Sequence, residues 1–281
     1  MNARAVEIVA AASLADADRA EKAADAAGLR RANLLTSMAA AAASEALEQA
    51  EERGFVPEGE RTALFVALDT GPINDNFAFL DSIRSNGEGF GSPISFSHSV
   101  NSSVAGYLSM IFGLTGNVVT TASFFWPFVE ALQSARLALL GGYVQAALVV
   151  FAHEEVVMFK QAAELTSGKG AGSEFAGTRA SAWLLAATGD AEGSRRAKGS
   201  ALLGEVFAKW QGTTGTELLL GRCKLTGTDG EMYEASRALH AEALTLWLRA
   251  GMQGRDGKRV WKALAPFGQA EVEVQGPSSR G

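Results

Sequence analysis

Six short runs of apolar residues recur along the chain, each bounded by charged residues or by residues typical of turns. Because these runs are continuously apolar and do not alternate, they predict strands that are buried on both faces. Helix-length segments separate several of them, which predicts an α/β fold in which helices cover both faces of a mixed sheet. The predicted strands are residues 5–13, 62–68, 118–122, 146–152, 181–188 and 202–210, and residues 270–275 are a candidate for a last strand.

The stretch from residue 118 to residue 142 predicts a strand that turns sharply into a buried helix. The corner carries Ser123. Several enzyme families hold a nucleophile at such a corner, so Ser123 is the first candidate for catalysis. Three aromatic residues follow it directly, namely Phe124, Phe125 and Trp126. The helix is predicted from four apolar residues that share one face, which are Phe128, Leu132, Ala135 and Leu139.

Other segments are assigned from their composition and spacing. Helices are predicted at residues 34–54, 103–112 and 231–251. Residues 69–96 contain Gly and Asn at turn positions and predict a loop-rich region, and residues 166–177 predict a mobile loop or lid. The chain shows no internal boundary, so we expect residues 1–281 to form a single domain, with a disordered tail at residues 276–281.

Composition narrows the class of protein. With 281 residues, 47% of them hydrophobic, the chain can bury a large core. Its net charge of −6 and its lack of a basic run argue against a nucleic-acid-binding surface. A single cysteine excludes an internal disulfide framework. Neither a signal peptide nor an apolar run of the roughly 18 residues that span a bilayer is visible, so we expect a cytoplasmic protein without a membrane span.

Each of the three histidines has more than one interpretation. His98 lies among serines before a predicted helix, and it is either a hydrogen-bonded structural residue or a partner of Ser123. His153 begins a His-Glu-Glu run at a strand end, where α/β sheets place ligands, although this spacing matches no established metal site. His240 falls in the helix predicted at residues 231–251 and is expected at the surface or in an interface.

Two further features predict no chemistry. The glycine-rich loop around Gly168 lacks the spacing and the Lys-Ser/Thr pair of a phosphate-binding loop. Cys223 has no histidine close in sequence and is interpreted as a buried structural thiol. We therefore expect neither a metal site nor a cofactor.

Several segments follow one another in a recognisable order. An Asn-containing helix start in SPISFSHSVNSS leads to the turn GLTG, then to the strand and corner VVTTASFFW, a helix, Gly-Gly and the strand AALVVFAHEE. From residue 5 to residue 190 this order resembles the N-terminal half of a β-ketoacyl-ACP synthase of the thiolase fold. The match is closest to short synthase-like proteins of aryl polyene and related polyketide gene clusters. The resemblance implies a thiolase-like layered fold, with one thiolase half and a short C-terminal extension.

The chain departs from that family at the positions that carry catalysis. Ser123 stands where the resemblance places the nucleophilic cysteine, and a condensing enzyme needs a thiolate, which is nucleophilic near neutral pH. The family's two catalytic histidines lie in the C-terminal half, and no histidine downstream of Ser123 has a comparable sequence context. Phe124, Phe125 and Trp126 replace residues that are usually small, and their rings would fill the acyl pocket.

The departures imply a chain-length-factor-like subunit, which resembles a synthase but lacks its nucleophile. It would form a heterodimer with a catalytic β-ketoacyl synthase, contact an acyl carrier protein through that complex, and shape the acyl tunnel. In the thiolase fold the strand before the corner pairs across the dimer axis, so an interface is expected there. The predicted tunnel and interface residues are Phe112, Val118, Val119, Thr120, Thr121, Phe124, Phe125 and Trp126.

Two alternatives remain open at this point. The first is a serine-dependent acyltransferase or hydrolase that uses Ser123, with His98 as a possible base. The second is a homodimeric thiolase-fold scaffold with no role in polyketide synthesis. For each aromatic residue of the predicted tunnel, ordinary core packing is an equally good interpretation.

Overall fold

The structure, a computed structural model, describes residues 4–26, 28–29, 31–156, 158, 161, 165, 177–188, 200–211, 222–251, 257–266 and 268–276. These residues form ten β-strands and seven α-helices. In chain order they are β1 (Ala5–Leu14), α1 (Ala17–Ala26), α2 (Leu34–Glu52), β2 (Thr62–Leu68), α3 (Ile73–Asn86), α4 (Pro93–Ser99), α5 (Ser102–Ile111), β3 (Val118–Ala122), α6 (Pro127–Leu140), β4 (Ala146–His153), β5 (Arg179–Thr188), β6 (Ala201–Trp210), β7 (Arg222–Thr226), β8 (Met232–Ser236), α7 (His240–Gly251), β9 (Lys258–Ala265) and β10 (Gly268–Gln275).

All ten strands belong to one mixed sheet, in the order β3-β2-β4-β5-β1-β6-β10-β9-β7-β8. Strand β2 runs parallel to both β3 and β4. Strand β5 is antiparallel to β4 and β1, and β1 is antiparallel to β6. The parallel strands β3, β2 and β4 therefore end at one edge, which brings together the residues that follow them.

The sheet consists of two halves with the same strand order. The halves meet where β1 pairs with β6. Outward from that pair, the strands of each half follow the same order, which is the first strand of that half, then its fifth, fourth, second and third. The strand directions differ between the halves, because in the second half β7 is antiparallel to both of its neighbours, β8 and β9. Only residues 227–231 separate β7 from β8, which suffices for a hairpin but not for the longer crossover that a parallel pair requires.

Helices cover the two faces of the first half. Helices α1, α2 and α5 pack on one face, where the alanines of α2 allow close approach to the sheet. Helices α6 and α7 pack on the other face, and their core continues onto the inner side of β6, β9 and β10. Asn33 caps α2, since its Oδ1 accepts a hydrogen bond from Thr36 N at 2.9 Å. The mixed α/β architecture predicted from the apolar runs is confirmed.

The outer side of the second half carries paired charges. Lys258 Nζ lies 2.6 Å from Glu273 Oε2, and Lys262 Nζ lies 3.1 Å from Glu271 Oε1. Buried and less buried residues alternate along β10. This alternation is typical of a sheet with one face in the core and one towards solvent.

Two predictions of secondary structure are wrong. Residues 69–96, predicted as loop-rich, contain α3 and α4. Gly and Asn residues in this region favour turns, and no residue of helix α3 is buried although Ile73, Phe77 and Leu80 share one face. The helix predicted at residues 231–251 begins only at His240, and the residues before it form β8. The loop around Gly168 and residues 277–281 of the predicted tail lie outside the described residues.

Candidate functional site

The elbow, residues 122–127, joins the end of β3 to the start of α6. Ser123 N donates to Leu68 O at 3.1 Å, which extends the pairing with β2 by one residue. The Ser123 hydroxyl accepts a hydrogen bond from Phe125 N at 3.1 Å and donates one to the Glu130 carboxylate. Pro127 then starts the helix at its first position, where no N–H is needed. The predicted strand, corner and helix are confirmed.

Ser123 and Glu130 form a polar pair over the first turn of α6. Burial raises the pKa of Glu130 above its ordinary value, and the hydrogen bond from Ser123 acts in the opposite direction. The hydroxyl thus serves both as an acceptor that holds the turn and as a donor to a partly buried acid. A serine in this role stabilises the elbow whether or not it reacts.

His240 lies behind the elbow, fully buried, so its expected place at the surface is wrong. Its Nε2 accepts a hydrogen bond from Phe128 N at 3.4 Å. The ring stands edge-on to Phe151 at 4.9 Å and to Trp126 at 5.7 Å. The imidazole therefore joins the second half of the chain to the first turn of α6. While Nε2 accepts from Phe128 it cannot take a proton from Ser123.

The aromatic residues of the elbow point to different environments. Trp126 is buried, whereas Phe124 is 41% exposed. Phe125 is half-buried, and its ring centroid lies 5.6 Å from that of Trp210 at the end of β6. Sequence reasoning missed Trp210, because no local pattern shows that the end of a distant strand reaches the elbow.

Phe112 lies apart from the elbow. It lines a cavity of 310 Å³ together with Leu114 and Phe55, beside α2. Phe112 precedes β3 and Phe124 follows it, so the length of that strand separates the two rings. The structure therefore does not gather all predicted tunnel residues at one place.

Strand β3 forms one end of the sheet, and among the described strands only β2 pairs with it. Val118 is 44% exposed and Val119 is 40% exposed, and Thr120 and Thr121 are half-buried. Helix α5 contacts this strand, α4 contacts α5, and α3 contacts α4. They add further exposed apolar side chains, namely Phe77, Leu80, Ile94, Phe96 and Met110. We call this strand edge with its helices the β3 face.

The carboxyl ends of the parallel strands carry a row of three polar residues. Ser123 follows β3, Asp69 follows β2, and His153 is the last residue of β4. Because β2 lies between β3 and β4 in the sheet, Asp69 lies between the other two residues. His153 Nδ1 lies 3.0 Å from Asp69 Oδ2, and both side chains are buried. Because the carboxylate occupies the middle of the row, this order differs from a nucleophile-histidine-acid triad.

A second polar group connects α3, α4 and α5. His98 Nε2 lies 3.3 Å from the Tyr107 hydroxyl, and His98 Nδ1 lies 3.8 Å from Asp75 Oδ1. Among the described residues no hydrogen bond joins His98 to Ser123. These contacts match the structural interpretation of His98 as a hydrogen-bonded residue near a helix start.

Glu154 connects the end of β4 to α3. Its Oε1 accepts a hydrogen bond from Asn74 N at 2.9 Å. Burial raises the pKa of Glu154, and the bonds from Asn74 oppose that shift.

No group of three or more metal-ligating side chains occurs within the described ranges. None of the described helices combines the length and apolar character of a membrane span. Cys223 is buried, as predicted.

Comparison with known proteins identifies related sequences and folds. The family model "Beta-ketoacyl synthase, N-terminal domain" matches residues 3–181. No curated protein sequence matches the chain. The ishigamide ketosynthase/chain length factor is similar in structure, with a TM-score of 0.67 and 15% identity over 96% of this chain and 98% of the other.

Two further solved structures show the same fold. A ketosynthase (ApeO) in complex with its chain length factor (ApeC), from Xenorhabdus doucetiae, gives a TM-score of 0.57 and 13% identity over 96% of this chain and 99% of the other. A variant of Xanthomonas campestris OleA with bound lauric acid and lauroyl-CoA gives a TM-score of 0.53 and 14% identity over 96% of this chain and 99% of the other. The likeness extends over nearly the whole chain, and thus over both halves of the sheet.

Proposed function

The chain belongs to the β-ketoacyl synthase N-terminal domain family, and from this premise we propose that it is a non-catalytic, chain-length-factor-like subunit. It forms a heterodimer with an active β-ketoacyl-ACP synthase and shapes the tunnel for the acyl chain. The acyl carrier protein is reached through that complex. The product belongs to polyene, polyketide or fatty-acid-type chain elongation.

The β3 face is the observation that carries the proposal. An edge strand offers a row of backbone N–H and C=O groups that can pair with another strand. Val118 and Val119 are exposed beside this row, and the three helices that connect to the strand through α5 carry further exposed apolar side chains. Contiguous apolar patches of this kind mark sites of protein association. A partner that adds a strand to β3 would also cover these side chains.

The elbow supports a role without catalysis. A serine hydroxyl has a far higher pKa than a thiol and needs a positioned base to act as a nucleophile. Ser123 instead bonds to Phe125 N and Glu130, and the imidazole of His240 accepts from Phe128 N. Two of the similar structures contain a chain length factor together with a ketosynthase, which supports a role within such a complex.

Co-purification tests the proposal. The tagged chain is co-expressed with a full-length ketosynthase that has an intact cysteine, and a ketosynthase encoded by a neighbouring gene is tried first. The mass of the purified protein or complex is then measured by light scattering. We expect a 1:1 complex that Val119→Asp disrupts. Tyr143→Asp is the control, because Tyr143 is exposed but lies outside the β3 face. A chain that stays monomeric, or that forms a homodimer and ignores the synthase, would overturn the proposal.

Glu130 gives one reason to test a second function. A carboxylate that accepts from the Ser123 hydroxyl could remove its proton, and so support a serine-dependent acyl transfer. The protein is incubated with an acyl-CoA thioester and its intact mass is measured. An acyl adduct that is present in the parent and absent in Ser123→Ala would establish this alternative and refute the non-catalytic role.

A further inference from the structure

A cavity of about 450 Å³ lies at the end of the sheet opposite to the elbow. Strands β2 and β4 run parallel, and the residues at which they begin, Thr62 and Ala146, line it. The residue before β1, the loop after α2 and part of the end of β5 complete its walls. No residue of the elbow or of the β3 face lines this cavity, so it is separate from the surfaces on which the proposed function rests. We call it the basal cavity.

Two arginines make the basal cavity positive, although the whole chain carries a net charge of −6. Arg4 and Arg61 line it, and Glu58 supplies the single carboxylate among its described lining residues. Arg61 Nε lies 3.5 Å from Glu58 Oε2, and these side chains are 60% and 69% exposed, so the pair contributes little. Within the described part of the chain, the guanidinium of Arg4 forms no hydrogen bond and no ion pair. A ligand in the cavity would therefore meet one guanidinium without a partner in this part of the chain and another with a weak one.

The backbone after α6 determines where Arg4 lies. Gly142 has a φ of +72°, which is in the left-handed region that favours glycine. A Cβ at this position would overlap the guanidinium of Arg4, which therefore rests directly on the glycine backbone. A larger residue at position 142 would push the guanidinium away, so Gly142 helps to hold Arg4 in the wall of the cavity.

The chemistry of the basal cavity restricts its ligand. A guanidinium group presents paired N–H donors that match two oxygens of a phosphate or a carboxylate. A phosphate monoester carries a charge of about −1.5 to −2 at pH 7, which suits two arginines better than a single negative charge does. Small-molecule sites have volumes of roughly 300–1,000 Å³. The basal cavity thus has room for an organic group, and Val56, Val144 and Ala186 offer that group apolar walls.

We propose that the basal cavity binds a small organic phosphate, a monoester whose phosphoryl oxygens pair with Arg4 and Arg61 and whose compact apolar group lies against the walls. The site goes beyond the proposed function and does not depend on it. Because Arg4 precedes β1 and Arg61 precedes β2, one bound phosphate connects the starts of two strands that do not pair with each other. A ligand that binds only the folded chain stabilises it, so the stability of the protein rises with the concentration of the phosphate ester.

Isothermal titration calorimetry of the full chain with phenyl phosphate tests the inference. We expect saturable binding of one molecule per chain. Arg4→Gln and Arg61→Gln should each weaken it by about tenfold, because each removes a charged hydrogen-bond donor. Glu58→Gln should strengthen it by up to about fivefold, because the competing carboxylate is lost. Damage to the fold does not tighten binding, so this opposite change identifies a local effect of charge.

Two other anions separate the parts of the ligand. Inorganic phosphate lacks the apolar group and benzoate has a single negative charge, so both should bind several-fold more weakly than phenyl phosphate. Equal affinity for inorganic phosphate would refute an organic ligand. Tighter binding of benzoate would refute the phosphate assignment and make the cavity a carboxylate site.

Arg84→Gln is the matched control, since Arg84 is exposed on α3 outside the basal cavity, and it should leave the affinity unchanged. Gly142→Ala should weaken binding as Arg4→Gln does, because the added Cβ displaces the Arg4 guanidinium. Absence of saturable binding, or unchanged affinity in both arginine variants, would refute the site. Neither result would alter association with a synthase, which the β3 face is expected to mediate.

Discussion

His153 Nδ1 lies 3.0 Å from Asp69 Oδ2 across two neighbouring parallel strands, and both side chains are almost completely buried. A carboxylate at the end of β2 and an imidazole at the end of β4 thus connect the strands where the sheet meets its loops. Removing one partner of a buried polar pair leaves the other without the bond for which it was desolvated.

We therefore expect Asp69→Leu to lower the free energy of unfolding by about 2–4 kcal/mol. Asp69→Asn should cost less, since the amide oxygen can still accept a hydrogen bond from Nδ1. Urea titrations followed by circular dichroism measure both. Equal losses in the two variants would show that this hydrogen bond contributes nothing specific at the site.

Glu130 predicts a dependence of stability on pH. Its pKa is raised by burial above the ordinary value of 4.5, so the folded state binds more protons than the unfolded state over the window that extends upward from that value. The contribution of Glu130 to the free energy of unfolding is therefore fully present below about pH 4.5, and it decreases as the pH rises through the pKa of the folded state. Glu130→Gln has no such titration, and its stability relative to the parent should increase from pH 4 to pH 7. A difference between the two proteins that stays constant with pH would contradict this.

Strands β1, β2, β4 and β5 were predictable from the sequence because they are buried, whereas the apolar runs of β3 and β6 are partly exposed in the structure. β1 to β6 consist largely of apolar residues, and their bounds agree with the predicted runs to within two residues. β9 was missed because Lys258, Arg259 and Lys262 interrupt its apolar residues, as solvent on one face allows. α3 was missed because the Gly and Asn residues in and around it favour turns.

The candidate site was only partly predictable. Ser123 and its elbow follow from local order, whereas Asp69, Trp210 and the place of His240 depend on contacts between distant segments. His240 lies 112 residues from Phe128 in sequence, and nothing near either residue indicates that their atoms meet. Hydrophobic periodicity reports which face of an element is buried, but not which partner covers it.

His240 gives a third prediction. His240→Phe retains a ring between Trp126 and Phe151 but removes the acceptor for Phe128 N. An unsatisfied buried N–H costs about 1–3 kcal/mol, and we expect a loss of that size in urea unfolding. Leu246→Ala, at an exposed position of the same helix, should change stability by less than about 0.5 kcal/mol. A similar loss in both variants would place the effect in helix α7 as a whole.

The last prediction concerns the two ends of the sheet, β3 and β8. If two copies of an edge strand pair antiparallel about their central residues, β3 places Thr120 opposite Thr120 and β8 places Glu234 opposite Glu234. Threonine pairs stabilise such a contact, whereas like charges directly opposite destabilise it. Charged residues on edge strands commonly prevent unwanted pairing, so Glu234 should keep β8 from associating.

Glu234→Thr removes this charge and should make the mass in solution rise with protein concentration, as measured by light scattering. Glu234→Asp keeps the charge and should behave as the parent does. Combining Glu234→Thr with Val119→Asp distinguishes the two edges, because association through β8 persists when the β3 face is blocked. If Glu234→Thr associates no more than Glu234→Asp, the charge is not what protects β8.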